Sequence, residues 1–255
     1  MDPNTELNRI RHCFSKSFTT YDSNAMAQHL ISHNLVSLLL QQGCRSCDNL
    51  LEIGCGTGAL TRELSQRLSV ANWTINDLCD ESAIYIDKIL GHGRYTFLPG
   101  DAGQLATDDT FDMIASSSVF QWIDDQAAFF GRLSERLRPD GILAFSSFNT
   151  RNMFEVKDLT SKGLDYPSQE QMTAFLQPYF DIQCITSEEI TLWFKTPIDI
   201  LRHLKLTGVT ATGDGSWTKG MQQNFVNNYK IKYANSNGEC PLTYNPLYVV
   251  AKKKS

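Results

Sequence analysis

The run Leu50-Leu51-Glu52-Ile53-Gly54-Cys55-Gly56-Thr57-Gly58 carries the residues best suited to chemistry in this chain. An apolar stretch with one carboxyl group, Glu52, leads into glycines at three alternate positions. Gly54, Gly56 and Gly58 clear side chains from a turn, so a ligand can lie against bare backbone. Ala59, Leu60 and Thr61 then open a helix, whose first N–H groups lack partners and whose dipole is positive at that end. Such an opening suits an anionic or polar ligand group. Leu60, Leu64 and Leu68 form the buried stripe of this helix, with Arg62, Glu63, Gln66 and Arg67 on its wet side.

Further candidates lie downstream. Asp77, followed by Leu78, closes a short strand over 73–78. The C-terminal end of a strand is the ligand edge of a parallel sheet, and a carboxylate there can accept both hydroxyls of a ribose. Asp101 and Ala102 follow a third strand, where Asp101 can accept a hydrogen bond from an adenine amino group. A fourth strand over 111–118 ends in Ser116, Ser117 and Ser118, which leave room for a ligand above them. Two ligands compete for this set. Gly54-x-Gly56-x-x-Ala59 with Asp77 fits the dinucleotide fingerprint of NAD enzymes. The same residues, read as Glu-x-Gly-x-Gly-x-Gly, resemble motif I of the class I methyltransferases that use S-adenosylmethionine. The turn alone leaves both open.

The elements that position these residues alternate. Strand and helix follow one another over 48–148, which predicts a parallel sheet with right-handed crossovers. Ile31, Leu35, Leu38 and Leu39 predict a helix over 25–42, stopped by Gly43. Helices are expected over 81–90 and 126–137, a turn at Arg138-Pro139-Asp140-Gly141, and a fifth strand over 142–148 ending at Phe148. Beyond 150 the pattern changes. Residues 151–180 are polar and mostly helical, and a strand is expected around 190–194, with Trp193 in the core. Pro197 begins a helix, another covers 218–233, and a last strand covers 243–251. Ahead of all this, Arg9, Arg11, His12 and Lys16 sit among Phe14, Phe18 and Tyr21. That arm reads either as a solvated segment or as a lid over the pocket.

Composition bounds the rest. The chain has 255 residues, 42% hydrophobic content and a net charge of −5, so a general nucleic-acid footprint is absent. No window approaches the roughly 18 apolar residues of a membrane helix. The polar start lacks the apolar run of a signal peptide, and a cytoplasmic protein is expected. Seven scattered cysteines form no disulfide framework. Cys44-Arg45-Ser46-Cys47 has no second pair for zinc and reads as two unrelated thiols in a loop. No metal site is expected.

The ordered set weighs more than any one motif. Glu52 with its three glycines, Asp77, Gly100-Asp101-Ala102, Phe111-Asp112 and Leu137-Arg138-Pro139-Asp140-Gly141 together resemble the full class I methyltransferase series. NAD becomes the minor alternative. Four later segments extend the likeness: Ser118-Val119-Phe120-Gln121-Trp122, Glu189-Ile190-Thr191-Leu192-Trp193-Phe194, 201–209 around Lys205, and Pro241-Leu242-Thr243-Tyr244. With the Phe14-x6-Tyr21 arm, they are similar to the malonyl-acyl-carrier-protein O-methyltransferase family of biotin synthesis.

That resemblance implies an α/β, Rossmann-like, seven-stranded sheet with helices on both faces. It also implies an N-terminal helical lid and a helical insertion before the last strand. A single domain over 1–255 is expected, divided into an arm (1–45), a cofactor core (48–148) and substrate-side elements (149–255). The implied cofactor is S-adenosylmethionine, held by Glu52, Gly54, Gly56, Gly58, Asp77, Leu78, Asp101, Ala102 and Ser117. The implied substrate is malonyl-acyl carrier protein, an acidic partner, whose free carboxylate becomes a methyl ester. Tyr21, Lys205, Tyr244, Gln121, Trp122 and Phe148 are the candidates for positioning it. Carrier docking calls for a local basic patch, for which Arg9, Arg11, Lys16, Arg202, Lys205 and Lys219 are candidates. Neither membrane nor nucleic acid is an expected partner, and a monomer is expected. The alternatives are methyl transfer to another small acid or a quinone precursor, and a cofactor-binding protein without catalysis.

Overall fold

The computed structural model describes residues 8, 11, 12, 24–105, 107–208 and 218–254. Helix α1 (Met26–Gln41) buries Ile31, Leu35, Val36 and Leu39, and the chain leaves it through Gly43 at φ 84°. Strand–helix alternation then runs as expected. It comprises β1 (Ser46–Ile53), α2 (Ala59–Arg67), β2 (Ser69–Asp77), α3 (Ser82–Leu90), β3 (Tyr95–Pro99), β4 (Phe111–Ser117), α4 (Gln126–Arg136) and β5 (Leu137–Phe148). β1 pairs in parallel with β2 and β4, β2 with β3, and β4 with β5. The last four residues of β1 are all buried, as befits a central parallel strand covered on both faces.

The remaining elements are α5 (Phe154–Thr160), α6 (Gln169–Leu176), β6 (Phe180–Ser187), β7 (Ile190–Phe194), α7 (Pro197–Leu206), α8 (Lys219–Tyr233), β8 (Cys240–Tyr244) and β9 (Pro246–Lys253). Seven strands form one sheet in the order β3-β2-β1-β4-β5-β9-β6, with β9 antiparallel to β6. β7 and β8 form a separate antiparallel pair. The chain divides into two compact units. The larger holds the seven-stranded sheet and comprises Gln28–Phe148, Pro167–Ser187 and Leu247–Ser255; the smaller comprises Asn149–Tyr166, Glu188–Pro246 and the described residues up to Ala27. Among the described residues, no helix is long and apolar enough to cross a membrane.

One apolar cluster anchors the larger unit. Leu51 and Ile53 of β1 meet Ile114 of β4, Leu143 of β5 and Val249 of β9 in it. Phe120, Phe129, Phe130 and Phe145 form its aromatic centre, with ring centroids 4.9–6.2 Å apart. Phe120 belongs to the segment that follows β4, so its packing among the other three rings fixes where that segment leaves the sheet.

Four expectations need correction. The strand expected over 243–251 is two strands in two different sheets, divided at Asn245. The region before β7 holds a further strand, β6, whose alternating exposure disguises it as a polar stretch. Trp193 is 51% exposed rather than core. In the two-stranded β7–β8 pair only one face is covered, and Trp193 shares the open face with Thr191 while Ile190, Leu192 and Phe194 are half-buried. Cys47 lies in β1, not in a loop. Residues 138–141 do leave the ladder as a turn would, since Phe111 pairs with Leu137 and Met113 with Ile142.

Asn245 divides β8 from β9 by drawing hydrogen bonds away from the ladder. Its N–H donates to Asn152 Oδ1 (3.1 Å) and its Nδ2 to the Glu188 carbonyl (2.7 Å). Its carbonyl accepts from Asn149 N–H (2.8 Å), and its Oδ1 from Arg151 N–H (3.3 Å). Truncating this buried side chain strands a carbonyl and an N–H. Asn245→Ala should therefore cost about 2–3 kcal/mol in urea unfolding, and a loss below about 0.5 kcal/mol would show that water replaces the amide.

Candidate active site

The site is built at the C-terminal ends of β1, β2, β3 and β4, in the larger unit. β1 leads into the glycine turn, where Gly54, Gly56 and Gly58 all take positive φ (70°, 54° and 84°). Gly54 N–H donates to the Asn76 carbonyl at 2.8 Å, tying the turn to β2. The three glycines serve different ends. A Cβ at Gly54 would lie 2.3 Å from Val119 Cγ2, and one at Gly58 would lie 2.3 Å from Ile89 Cδ1. Both positions are bare because protein packs there. Only at Gly56 would a Cβ meet nothing within 4 Å. The expectation that all three leave backbone free for a ligand thus narrows to Gly56. Beyond it, α2 begins at Gly58 without a side-chain cap, so its first N–H groups are left to a ligand or water.

Asp77 braces this turn. Its Oδ2 accepts from Gly56 N–H at 2.7 Å and its Oδ1 from Cys79 N–H at 2.8 Å. Burial pushes the carboxyl up from its usual range, and these two N–H groups pull it back. Each oxygen retains acceptor capacity beyond its backbone partner. Leu78, half-buried, follows directly. No motif points to Asn76, yet it does as much to shape the edge. Its Nδ2 donates to the carbonyls of Leu98 (2.8 Å) and Gly100 (3.0 Å), which fixes the turn bearing Asp101. The available signal is a second polar residue directly before Asp77 at the C-terminal end of β2. Asp101 accepts from Gly103 N–H at 2.9 Å through Oδ1 and so caps the single 3₁₀ turn Ala102–Gln104.

Glu52 is the most perturbed acid of the site. It is buried, and its Oε2 accepts from Thr61 Oγ1 at 2.8 Å while Oε1 has no partner. Burial raises its pKa to about 8; the Thr61 hydrogen bond opposes the rise and the charge of Asp77 adds to it. At the end of β4, Ser117 sits in a chain of hydroxyls. Ser32 Oγ donates to Ser117 Oγ (3.1 Å), which lies 2.9 Å from Ser146 Oγ. Ser118 follows at φ 61°. Gln121, on the 3₁₀ turn Phe120–Trp122, donates through Nε2 to the Ser118 carbonyl at 2.6 Å. The buried atoms Gln121 Oε1, Ser118 Oγ and Ser147 Oγ have no partner among the described residues. Trp122 is half-buried, and Phe148 is buried at the end of β5.

Of the remaining candidates, Lys205 and Tyr244 belong to the smaller unit. Tyr21 lies outside the described residues. Lys205 is exposed on α7. His203, on the same helix, is buried, and its Nε2 lies 2.8 Å from the Tyr244 hydroxyl. Burial lowers the His203 pKa, so the ring is neutral at pH 7. Tyr244 is therefore held inside this unit by a protein partner, a pairing that neither residue announces in sequence.

A bare backbone face at Gly56, a buried acid with a spare acceptor, and Asp77 and Asp101 on successive strand ends fit an elongated ligand. One end would be a cationic amino-acid group, and the other a ribose and an adenine. Together with the strand order, this defines a class I methyltransferase that uses S-adenosylmethionine. A family profile described as a methyltransferase domain matches residues 51–145. The N-methyltransferase NodS from Bradyrhizobium japonicum, solved with S-adenosyl-L-homocysteine, shares the fold. Its TM-score is 0.58 at 14% identity, over 97% of this chain and 100% of that one. The YcgJ protein from Bacillus subtilis superposes with a TM-score of 0.65 at 16% identity, over 88% of this chain and 99% of that one.

Whole-chain relatives are more specific. A malonyl-[acyl-carrier protein] O-methyltransferase from Porphyromonas gingivalis is 38% identical over 94% of this chain and 93% of its own. One from Haemophilus influenzae is 35% identical over 97% and 95%. The chain belongs to the malonyl-[acyl-carrier protein] O-methyltransferase family.

Two outcomes follow from the geometry. Gly56→Ala should cost only about 1–2 kcal/mol, the penalty of a left-handed non-glycine residue, yet abolish the thermal protection given by S-adenosylmethionine. Gly54→Ala and Gly58→Ala should lower Tm further even without ligand; equal Tm values for all three would refute the division. The second concerns pH. Folded Glu52 keeps a proton that the unfolded chain releases near its ordinary pKa, so raising pH favours unfolding. Its contribution to stability should fall as pH rises from about 4.5 to about 8, by up to about 1.4 kcal/mol per pH unit. Glu52→Gln should flatten that slope, as measured by denaturant unfolding across this range without ligand.

Proposed function

We propose that this chain transfers the methyl group of S-adenosylmethionine to the free carboxylate of malonyl-acyl carrier protein, giving the methyl ester, an early step of biotin synthesis. The observation that carries this reading is the likeness over 94% of the chain to a relative of that name. The enzyme is read as a cytoplasmic monomer that meets the carrier protein as substrate.

When bound, the cofactor supplies a methyl group on a sulfonium sulfur, ready for transfer to an oxygen nucleophile. The chain's own residues bind and align. Gly56 offers its open backbone face. Glu52 Oε1 provides a spare acceptor for an ammonium group, and a neighbouring cation would favour its ionised form. Asp77 and Asp101 receive the ribose hydroxyls and the adenine amino group, with Leu78, Ala102 and Ser117 lining the same edge.

A malonyl carboxylate is already ionised at pH 7, since isolated carboxyl groups titrate near pH 4. No general base is required. What the protein must do is hold one oxygen in line and strip water from it. Alignment of this kind contributes up to about 7–11 kcal/mol. Lys205 is assigned the carboxylate as a compact point charge on a flexible stem. Tyr21, Gln121, Trp122 and Phe148 shape the acceptor space, and Gln121 Oε1 is a buried acceptor with capacity to spare. Tyr244, engaged by His203, contributes as a positioning residue from within the smaller unit.

The test is methyl transfer from labelled S-adenosylmethionine to malonyl-acyl carrier protein, with acetyl-acyl carrier protein alongside. Label is expected on the malonyl carrier alone, released by mild base as an ester would be. Label on neither carrier, with S-adenosylmethionine still protecting the fold, would discard this substrate and turn the search to other small acids.

A further inference from the structure

Helix α8 (Lys219–Tyr233) has the sequence Lys-Gly-Met-Gln-Gln-Asn-Phe-Val-Asn-Asn-Tyr-Lys-Ile-Lys-Tyr, with three lysines and no acid. The surrounding stretch, 195–232, holds six basic and two acidic residues in a chain whose net charge is −5. Basic charge is thus concentrated here against the overall balance.

Among the described residues, the helix is held by one face only. Phe225 and Tyr229 are buried, and rings of Phe225, Tyr229, Tyr233 and Phe154 follow one another at 5.2, 5.4 and 5.9 Å. Tyr229 Oη donates to the Pro241 carbonyl at 2.6 Å, and Lys232 pairs with Asp158 at 2.7 Å. With 3.6 residues per turn, Lys219, Gln223, Asn227 and Lys230 fall on a stripe away from those rings. Gln223 Nε2 donates to Asn227 Oδ1 at 3.0 Å along it. Ile231, 84% exposed, stands beside Lys230, and Met221, 48% exposed, lies near the other end. Among the described residues, Lys219 and Lys230 make no ion pair.

A helix clamped by aromatics on one side and presenting free lysines, amides and an exposed isoleucine on the other is built to be met by something. We propose that this face of α8 docks the acidic surface of the carrier protein, with Lys219 and Lys230 pairing its carboxylates and Ile231 covering an apolar spot beside Lys230. The inference rests on the substrate reading above and adds the surface by which that substrate is chosen. Complementary charge of this kind steers encounter and sets specificity. Neutral amides between the lysines add hydrogen bonds without repelling an acidic surface. Lys205 is left out of this face because it is assigned to the carboxylate.

The experiment compares wild type with Lys219→Glu/Lys230→Glu and with Ile231→Ser. Two readouts are used: turnover of malonyl-acyl carrier protein against malonyl-pantetheine, and binding of labelled holo carrier protein by fluorescence anisotropy. For the double variant, KM for the carrier substrate should rise about tenfold with kcat within about twofold, and carrier binding should weaken in parallel. Malonyl-pantetheine turnover and Tm should stay put. Ile231→Ser should weaken carrier binding about threefold without changing its dependence on salt. Equal losses on both substrates, unchanged carrier KM, or no carrier binding by wild type would overturn the proposal. So would displacement of the carrier by an equal charge concentration of an RNA oligomer, which would mark a general polyanion surface. If wild type binds the carrier but methylates neither substrate, the substrate reading falls while the docking face stands.

Discussion

The carboxylate of Asp77 joins two turns through a single side chain. One of its oxygens holds Gly56 N–H at the end of β1, and the other holds Cys79 N–H beyond β2. Backbone that must stay open to a ligand cannot be braced by its own side chains, because side chains would fill the opening. The brace has to come from a neighbouring strand. Asn76 repeats the device one residue earlier and reaches the carbonyls of Leu98 and Gly100. Two adjacent polar residues at the end of one strand therefore set the spacing of three strand ends. They are buried, so their partners cannot be replaced by water without cost.

That constraint explains what was legible in the sequence. The glycine turn, Asp77, Asp101 and the strand–helix alternation over 48–148 are local signals, and the structure places each where its pattern implied. The separate duties of the glycines were not legible. Gly54 and Gly58 are bare because Val119 and Ile89 pack against them, and both partners are distant in sequence. The same holds for Tyr244 with His203 and for the hydroxyl chain through Ser32, Ser117 and Ser146. Periodicity also misled where only one side of an element is covered. Trp193 alternates correctly within β7, but the two-stranded pair leaves its face open. The largest side chain of the strand is therefore among its most exposed. At 243–251 an apolar run reads as one strand, and only the four partners of Asn245 reveal the break.

The smaller unit is organised on a different principle from the sheet. Its strands are few, and buried polar pairs carry much of its definition. Glu155 is buried, accepts from both the hydroxyl (2.6 Å) and the N–H (3.2 Å) of Thr243, and is raised by burial above its usual range. Asn152 and Asn245 meet nearby on the same stretch of chain, and the aromatic rings along α8 complete the set. Such directional contacts tolerate little substitution, which makes a unit of this kind specific in shape though modest in apolar core.

The order in which β9 enters the sheet bears on how the molecule is made. β9 lies between β5 and β6, yet it comes after both in sequence. During synthesis the first five strands can assemble as they emerge, but β6 has no ladder to join until the whole smaller unit has been translated. One edge of the nascent sheet, along β5, stays unpaired for about one hundred residues of elongation, a template for wrong pairing in the meantime. Closing it requires contacts between segments far apart in sequence, a slow class of step. Premature termination shortly before β9 would therefore leave a chain with an intact glycine turn, an open sheet edge and a strand, β6, with nothing to pair with.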